Sequence, residues 1–165
     1  MRVGIGYDVH KLVEGRDLYL GGVKFDHDLG LLGHSDADVL THAIMDAILG
    51  ALALADIGNL FPDTDMAYKD IYSIDLLDRV VGLMEEKSYK IGNLDCVIIC
   101  EYPKISPKRE QIRKLIANHL KTDIGNVSIK ASTSEKLGFT GRSEGIEARA
   151  VVLLEEIDDE KTNNK

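Results

Sequence analysis

Apolar positions along this chain follow two periods, one close to two and one close to 3.6, and the switches between them mark out the elements. Residues 1–7 form an apolar run punctuated by Gly4 and Gly6 and predict a strand. Residues 18–25, with Gly21-Gly22 in their middle, predict a short strand or hairpin arm, and the Gly- and Asp-rich residues 26–35 a loop. Val39, Leu40, Ala43, Ile44, Ala47, Ile48 and Ala51 then recur at helical spacing, which predicts a helix over 38–54 capped by Ser35 or Asp36. Residues 56–65 are rich in turn formers and read as a loop. A second helix is expected over 70–87, with Ile74, Leu77, Val80, Val81 and Met84 on its inner side. Residues 90–100 read as a strand with Leu94, Cys96, Ile98 and Cys100 on one face. Ser106-Pro107 signals the start of a third helix running to about residue 120. Strands over 127–131 and 146–154 flank a polar, Gly-punctuated segment at 132–144, and the charged residues 158–165 are expected to fray.

With 165 residues the chain is long enough for one real core and too short for two ordinary ones, so residues 1–157 are taken as a single domain. The mixture of elements predicts an α+β fold, an α/β sandwich with helices on one face of a four- to five-stranded mixed sheet. In the last strand Ile146, Ala148, Ala150, Val152 and Leu154 share one face. The alternate positions are Glu147, Arg149, Val151 and Leu153, and in residues 127–131 they are Ser128 and Lys130. A face half apolar and half charged is either solvated or meets another subunit, and the otherwise exposed Val151 and Leu153 favour the second.

Charge and composition narrow the function. A formal net charge of -8 argues against nucleic acid as a partner and requires that any anionic substrate meet locally concentrated positive charge. No stretch of eighteen apolar residues suggests a membrane span, and the first residues lack the pattern of a signal peptide, so a cytoplasmic protein is the expectation. Cys96 and Cys100, four residues apart on one strand, are too distant to bridge and read as reduced, buried fillers; metal ligation is the lesser alternative, since no Cys-x-x-Cys spacing is present.

Asp8 and His10, two apart on a strand, point to the same face, and His42 lies on the first predicted helix. A carboxylate and two imidazoles make a three-ligand set for a divalent metal, zinc foremost, with one position open for chemistry, although a structural Asp, a surface His and a helix-face His explain the spacing equally well. Asp46, four residues after His42 on the same helix, is a candidate to orient that ring; a solvated or capping carboxylate is the alternative. His34 and Ser35 precede the helix, where free amides favour anions, although a surface histidine accounts for His34 as well. Residues 56–65 carry three carboxylates suited to the hydroxyls of a polyol, or simply to solvent. Residues 130–142 alternate hydroxyls, glycines, two lysines, an arginine and Glu135, an inventory for binding a diphosphate with a bridging magnesium ion. No Walker-type loop or Gly-x-Gly-x-x-Gly is present, and Gly4-x-Gly6 is by itself no signature.

Taken together, Gly-Tyr-Asp-Val-His at 6–10, His-Ser-Asp-Ala-Asp at 34–38, His42, Asp-Ile-Gly-Asn-Leu-Phe-Pro-Asp-Thr-Asp at 56–65, Pro-Lys at 103–104 and Ser-Glu-Lys-Leu-Gly-Phe-Thr-Gly-Arg at 134–142 resemble the 2-C-methyl-D-erythritol 2,4-cyclodiphosphate synthase family over nearly the full length. The resemblance implies conversion of 4-diphosphocytidyl-2-C-methyl-D-erythritol 2-phosphate to the cyclic diphosphate with release of CMP, in the non-mevalonate route to isoprenoid precursors. It implies zinc, or another divalent metal, on Asp8, His10 and His42, and magnesium or manganese at Glu135. It implies transition-state stabilisation by His34 and Thr133. Ser35, Asp56, Ile57, Gly58, Phe61, Pro62, Asp63, Thr64 and Asp65 would hold the erythritol phosphate region. Cys100, Glu101, Tyr102, Pro103, Lys104, Ile105 and Ser106, with Ser132 and Ser134, would hold the cytidine and its phosphates, and Phe139 and Arg142 would complete the site. A homotrimer with sheets facing the three-fold axis and sites at subunit interfaces is implied. An isoprenoid diphosphate in an axial cavity, with Arg142 or the charged strand residues to hold it, is a separate hypothesis that the sequence leaves open. Ser132 and Ser134 stand where threonine is frequent in the family, and Ser143 where glycine is frequent. The residues alone also admit a metal-dependent phosphohydrolase, or a non-catalytic sensor of nucleotides or isoprenoid diphosphates.

Overall fold

The computed structural model describes residues 1–62, 64, 66–68 and 70–157; Asp63, Asp65 and the tail expected to fray at 158–165 lie outside them. In chain order the elements are β1 (Arg2–Glu14), β2 (Leu18–Leu20), β3 (Val23–Phe25), β4 (Leu29–Leu31), α1 (Val39–Ala51), the one-turn α2 (Ile57–Leu60), α3 (Ser73–Glu86), β5 (Tyr89–Ile99), α4 (Arg109–His119), β6 (Val127–Ser132), the one-turn α5 (Gly138–Gly141) and β7 (Gly145–Glu156). Five strands form one mixed sheet in the order β4-β1-β7-β5-β6, and β2-β3 form a separate hairpin. Only the β5–β6 pair is parallel, and its connection carries α4. The α+β class and the five-stranded mixed sheet are thus as expected.

Every residue of α1 except Asp46 and Gly50 is buried, because the helix lies between the sheet and α3. Its close approach to β1 has a local cause. A Cβ on Gly4 would sit 1.8 Å from the Ala47 carbonyl oxygen, and one on Gly6 would sit 1.8 Å from that of Ala43. The two glycines therefore let the backbone of α1 rest on the strand, and they place His42, the neighbour of Ala43, over Asp8 and His10.

Several boundaries differ from expectation for physical reasons. Strand β1 runs seven residues past Tyr7, since β7 pairs with it as far as Lys11 and β4 with its last three residues. Polar Asp8 and His10 occupy the inward positions there and interrupt the apolar alternation. Residues 29–31, expected in a loop, form β4 by that pairing. Neither Ser35 nor Asp36 caps α1. Asp38 does, accepting from Thr41 N at 3.1 Å and Thr41 Oγ1 at 2.9 Å, and it also takes the amides of Gly21 and Gly22 in the β2–β3 turn. The second helix starts at Ser73 rather than near residue 70, and α4 starts at Arg109, after a turn that contains Ser106 and Pro107.

The sheet face turned away from the helices carries Val3, Ile5, Tyr7, Val9 and Val151, all exposed, with Arg149 donating to Glu147 at 2.9 Å and Lys130 to Asp95 at 2.5 Å. The half-apolar, half-charged face expected from β7 is present and is extended by the outer row of β1. Cys96 and Cys100 are buried free thiols; burial raises both, Cys100 to about 11.

Candidate metal centre and substrate clefts

Asp8 and His10 project from the inner face of β1, and His42 meets them from the end of the first turn of α1. Nδ1 of His42 lies 2.9 Å from Asp8 Oδ2, Nε2 of His10 lies 3.0 Å from the same oxygen, and the two ring nitrogens are 3.3 Å apart. Ligand atoms at zinc distances of 2.0–2.1 Å in a tetrahedron stand about 3.3 Å from one another. The cluster is therefore already close to the size of one face of a metal site, and these three residues are able to bind a metal. The other ring nitrogen of His10 faces the Leu32 carbonyl at 2.8 Å. A carbonyl only accepts, so Nδ1 of a neutral His10 carries the hydrogen and Nε2 presents its lone pair to the cluster. Burial opposes charge on Asp8, yet the hydrogen bonds and charges of His10 and His42 outweigh it and hold the carboxyl well below the usual carboxylate range. For His10, burial pulls downward, and the contact with Asp8 overcomes it and raises the ring. A divalent cation held by these three residues would supply that positive charge without protons.

Asp46 does not orient His42. Its Oδ1 accepts the Ile57 amide at 2.8 Å and so ties α2 to α1. The ring of His42 is instead backed by Ser73, whose Oγ lies 2.9 Å from Nε2, with Ser35 Oγ at 3.3 Å. Ser73 carried no signal in the sequence, since its role depends on how α3 packs.

The cluster forms the floor of a cleft of about 430 Å³ whose walls include His34, Ser35, Ile57, Gly58, Phe61 and Tyr68. Phe61 and Tyr68 meet edge to face at 5.4 Å. Asp56 caps α2 by accepting from Asn59 N at 3.0 Å. Pro62 and Thr64 are exposed beyond this wall. Arg16, which the sequence reading did not single out, donates to the carbonyls of Gly33 at 3.1 Å and Ser35 at 2.6 Å, on either side of His34.

A second, smaller cleft is lined by Cys100, Glu101, Pro103, Lys104, Ile105, Ser106, Ser132 and Thr133. Tyr102 is exposed beside it, with the Lys104 and Lys136 ammonium groups over its ring at 5.2 and 5.8 Å. Thr133 Oγ1 donates to Glu135 Oε1 at 2.9 Å, and Ser134 Oγ shares a hydrogen bond with Thr140 Oγ1. Glu135 and Lys136 both have positive φ, a tight reversal that turns Glu135 back toward Thr133. Two of the cations in this half are partnered within the chain. Lys136 donates to Glu101 at 2.9 Å, which lowers that carboxyl, and Arg142 makes a two-point contact with Glu144. Phe139 lines a third hollow beside Val9, His10 and Lys11. The metal cleft and the Cys100–Thr133 cleft share no lining residue among those described. In the sheet Asp8 pairs with Ala148, Ala148 with Ile98, and Ile98 with Ala131. Three strand spacings separate the two ends by about 14 Å.

Comparison with known proteins gives these clefts a family. A 2-C-methyl-D-erythritol 2,4-cyclodiphosphate synthase of Clostridium acetobutylicum is 60% identical over 154 residues, 93% of this chain and 99% of that protein. A solved CDP complex of IspF from Plasmodium falciparum is 41% identical with a TM-score of 0.84, over 95% of this chain and 97% of that one. The bifunctional IspDF of Campylobacter jejuni, 41% identical with a TM-score of 0.91, is matched over 95% of this chain and 42% of its own longer one. The YgbB family model matches residues 1–155, and with such relatives along nearly its whole length the chain belongs to the YgbB family.

Proposed function

We propose that this chain converts 4-diphosphocytidyl-2-C-methyl-D-erythritol 2-phosphate to 2-C-methyl-D-erythritol 2,4-cyclodiphosphate and CMP. The observation that carries the reading is the Asp8, His10 and His42 cluster, set at metal-ligand spacing in the floor of a cleft beside His34, in a chain so close to synthases of that name. An oxygen of the 2-phosphate attacks the β-phosphorus, the bond from that phosphorus to the bridging oxygen breaks, and CMP leaves with the electron pair. No water is consumed. The nucleophile is already anionic, so the site must position two repelling phosphates and offset their charge rather than provide a strong base.

Zinc on Asp8, His10 and His42, with magnesium or manganese at Glu135, would supply Lewis-acid neutralisation of the phosphates. The protein's own groups do the rest. His34 and Thr133 face the developing charge. Ser35, Asp56, Ile57, Gly58 and Phe61 hold the methylerythritol end, together with Pro62, Asp63, Thr64 and Asp65. Residues 100–106, with Ser132 and Ser134, hold the cytidine and its phosphates, as a CDP complex of the Plasmodium falciparum relative suggests for this end of the substrate. Phe139 and Arg142 border the site.

The working unit is a homotrimer of residues 1–157. The exposed apolar row of Val3, Ile5, Tyr7 and Val9 supports it, as does the distance between the two clefts of one chain. An isoprenoid diphosphate in an axial cavity belongs to the same reading. Among the described residues no helix is long and apolar enough to cross a membrane. A cytoplasmic location is part of the proposal.

Phosphorus NMR of the purified protein with this substrate and magnesium, beside a His42→Ala variant, tests the proposal. Cyclic diphosphate with CMP, reduced at least about 100-fold in the variant, is expected from loss of a metal ligand. Inorganic phosphate would replace the reading by a phosphohydrolase, and binding without products by a sensor.

A further inference from the structure

Behind the metal cluster lies a second line of contacts. Asp36 Oδ2 accepts the Ser73 amide at 2.9 Å, while Oδ1 accepts the Asp38 amide at 3.1 Å and the Ser73 hydroxyl in a short contact. Three donors converge on this carboxylate, so it acts as an acceptor throughout. Ser73 has a single hydroxyl hydrogen, and that hydrogen is directed to Asp36. Toward His42 Nε2, 2.9 Å away, Ser73 Oγ can therefore only accept. Nε2 must then carry the hydrogen of the neutral ring, and Nδ1, which faces Asp8 and His10, presents its lone pair.

From this hydrogen-bond order we infer that Ser73, oriented by Asp36, is a positioning residue that fixes the His42 tautomer and ring angle for metal binding. The inference rests on the proposed metal centre and deepens it. Ser73 is fully buried and is the first residue of α3, so the packing of α3 onto α1 sets the distance to His42. His10 is fixed independently through the Leu32 carbonyl, which gives each histidine its own acceptor. Groups that orient ligating histidines in this way typically change metal affinity by about 10- to 100-fold when removed. A side chain needed only to start α3 would instead alter folding and leave metal affinity alone.

The test is zinc affinity by competition with a chelator, measured on wild type, Ser73→Ala, Ser73→Thr, Asp36→Asn and His42→Ala, with thermal unfolding of each metal-free protein alongside. Ser73→Ala is expected to weaken zinc at least about 10-fold, Ser73→Thr to stay within about threefold of wild type, and Asp36→Asn to fall between. Zinc affinity of Ser73→Ala within twofold of wild type would overturn the inference. If Ser73→Ala does not fold, long-range nitrogen-15 NMR of the zinc-loaded wild type decides. The His42 hydrogen on Nε2 is expected, and a hydrogen on Nδ1 would overturn the assignment. His42→Ala separates the two levels: if it binds zinc as tightly as wild type, the metal centre itself is wrong, whatever Ser73 does.

Discussion

Arg16 holds the backbone on both sides of His34, with one guanidinium nitrogen on each flanking carbonyl. A planar fork suits two acceptors at once, which a lysine ammonium on a flexible stem does not reproduce. Arg16→Ala is expected to slacken this loop and lower kcat by about 10- to 100-fold, because on the proposed role of His34 small displacements at the reacting phosphate are costly. Zinc affinity should stay within twofold, since Asp8, His10 and His42 are held by other contacts, and Arg16→Lys should recover only part of the rate. Steady-state kinetics with chelator competition checks this, and an unchanged kcat would remove Arg16 from the positioning of His34. At this scale the sequence displayed the groups that do chemistry and concealed those that hold them. Asp8 and His10 were legible as a pair because strand period is two. For His42, helical spacing pointed to Asp46, but Asp46 serves the Ile57 amide and Ser73 arrives from α3. Partners that come from another element leave no local spacing to read.

The β1–α1 contact brings the candidate metal ligands together, and Gly6 is its pivot. An added methyl would overlap the Ala43 carbonyl oxygen at 1.8 Å, a contact with rigid helix backbone that no rotamer can relieve. Gly6→Ala must therefore push α1 outward at the very turn that carries His42. A loss of about 2–4 kcal/mol is expected, at or above the usual range for overpacking, because backbone rather than side chain must move. Zinc affinity should fall with it. Gly82, on α3 with open space around its Cα, gives the control: Gly82→Ala meets no atom within 4 Å and should be neutral or slightly stabilising. Denaturant unfolding with zinc titration distinguishes a specific displacement from general damage. The helices α1, α3 and α4 and the strands β5, β6 and β7 were legible from periodicity, since their apolar faces meet one core. The extent of β1, the existence of β4 and the cap of α1 were not. Pairing partners and the hairpin turn stitched to Asp38 are set by tertiary contacts.

For the whole molecule, the decisive property is that one chain does not bring its two clefts together. Asp8 and Ala131, which line the two clefts, lie about 14 Å apart across the sheet, and in the proposed trimer the substrate would be held by two copies. Complementation between inactive variants follows from the proposed trimer and tests it. Neither His42→Ala nor Glu135→Ala alone should turn over substrate at an appreciable rate. Mixed before assembly in equal amounts, they form trimers of which about three quarters contain both chains, and in a ring of head-to-tail interfaces each mixed trimer has one interface with neither lesion. Activity should therefore return to about a quarter of the wild-type level, while mixing the already assembled variants without subunit exchange should restore none. If each site lay within a single chain, every site in every mixture would carry one lesion and no activity would return. The row of Val3, Ile5, Tyr7 and Val9 makes the same demand from the side of solubility, because four exposed apolar residues in line on a long strand need a cover. The proposed trimer meets this demand: copies that bury this face against one another would also bring residues 132–135 of one chain to Asp8, His10 and His42 of the next.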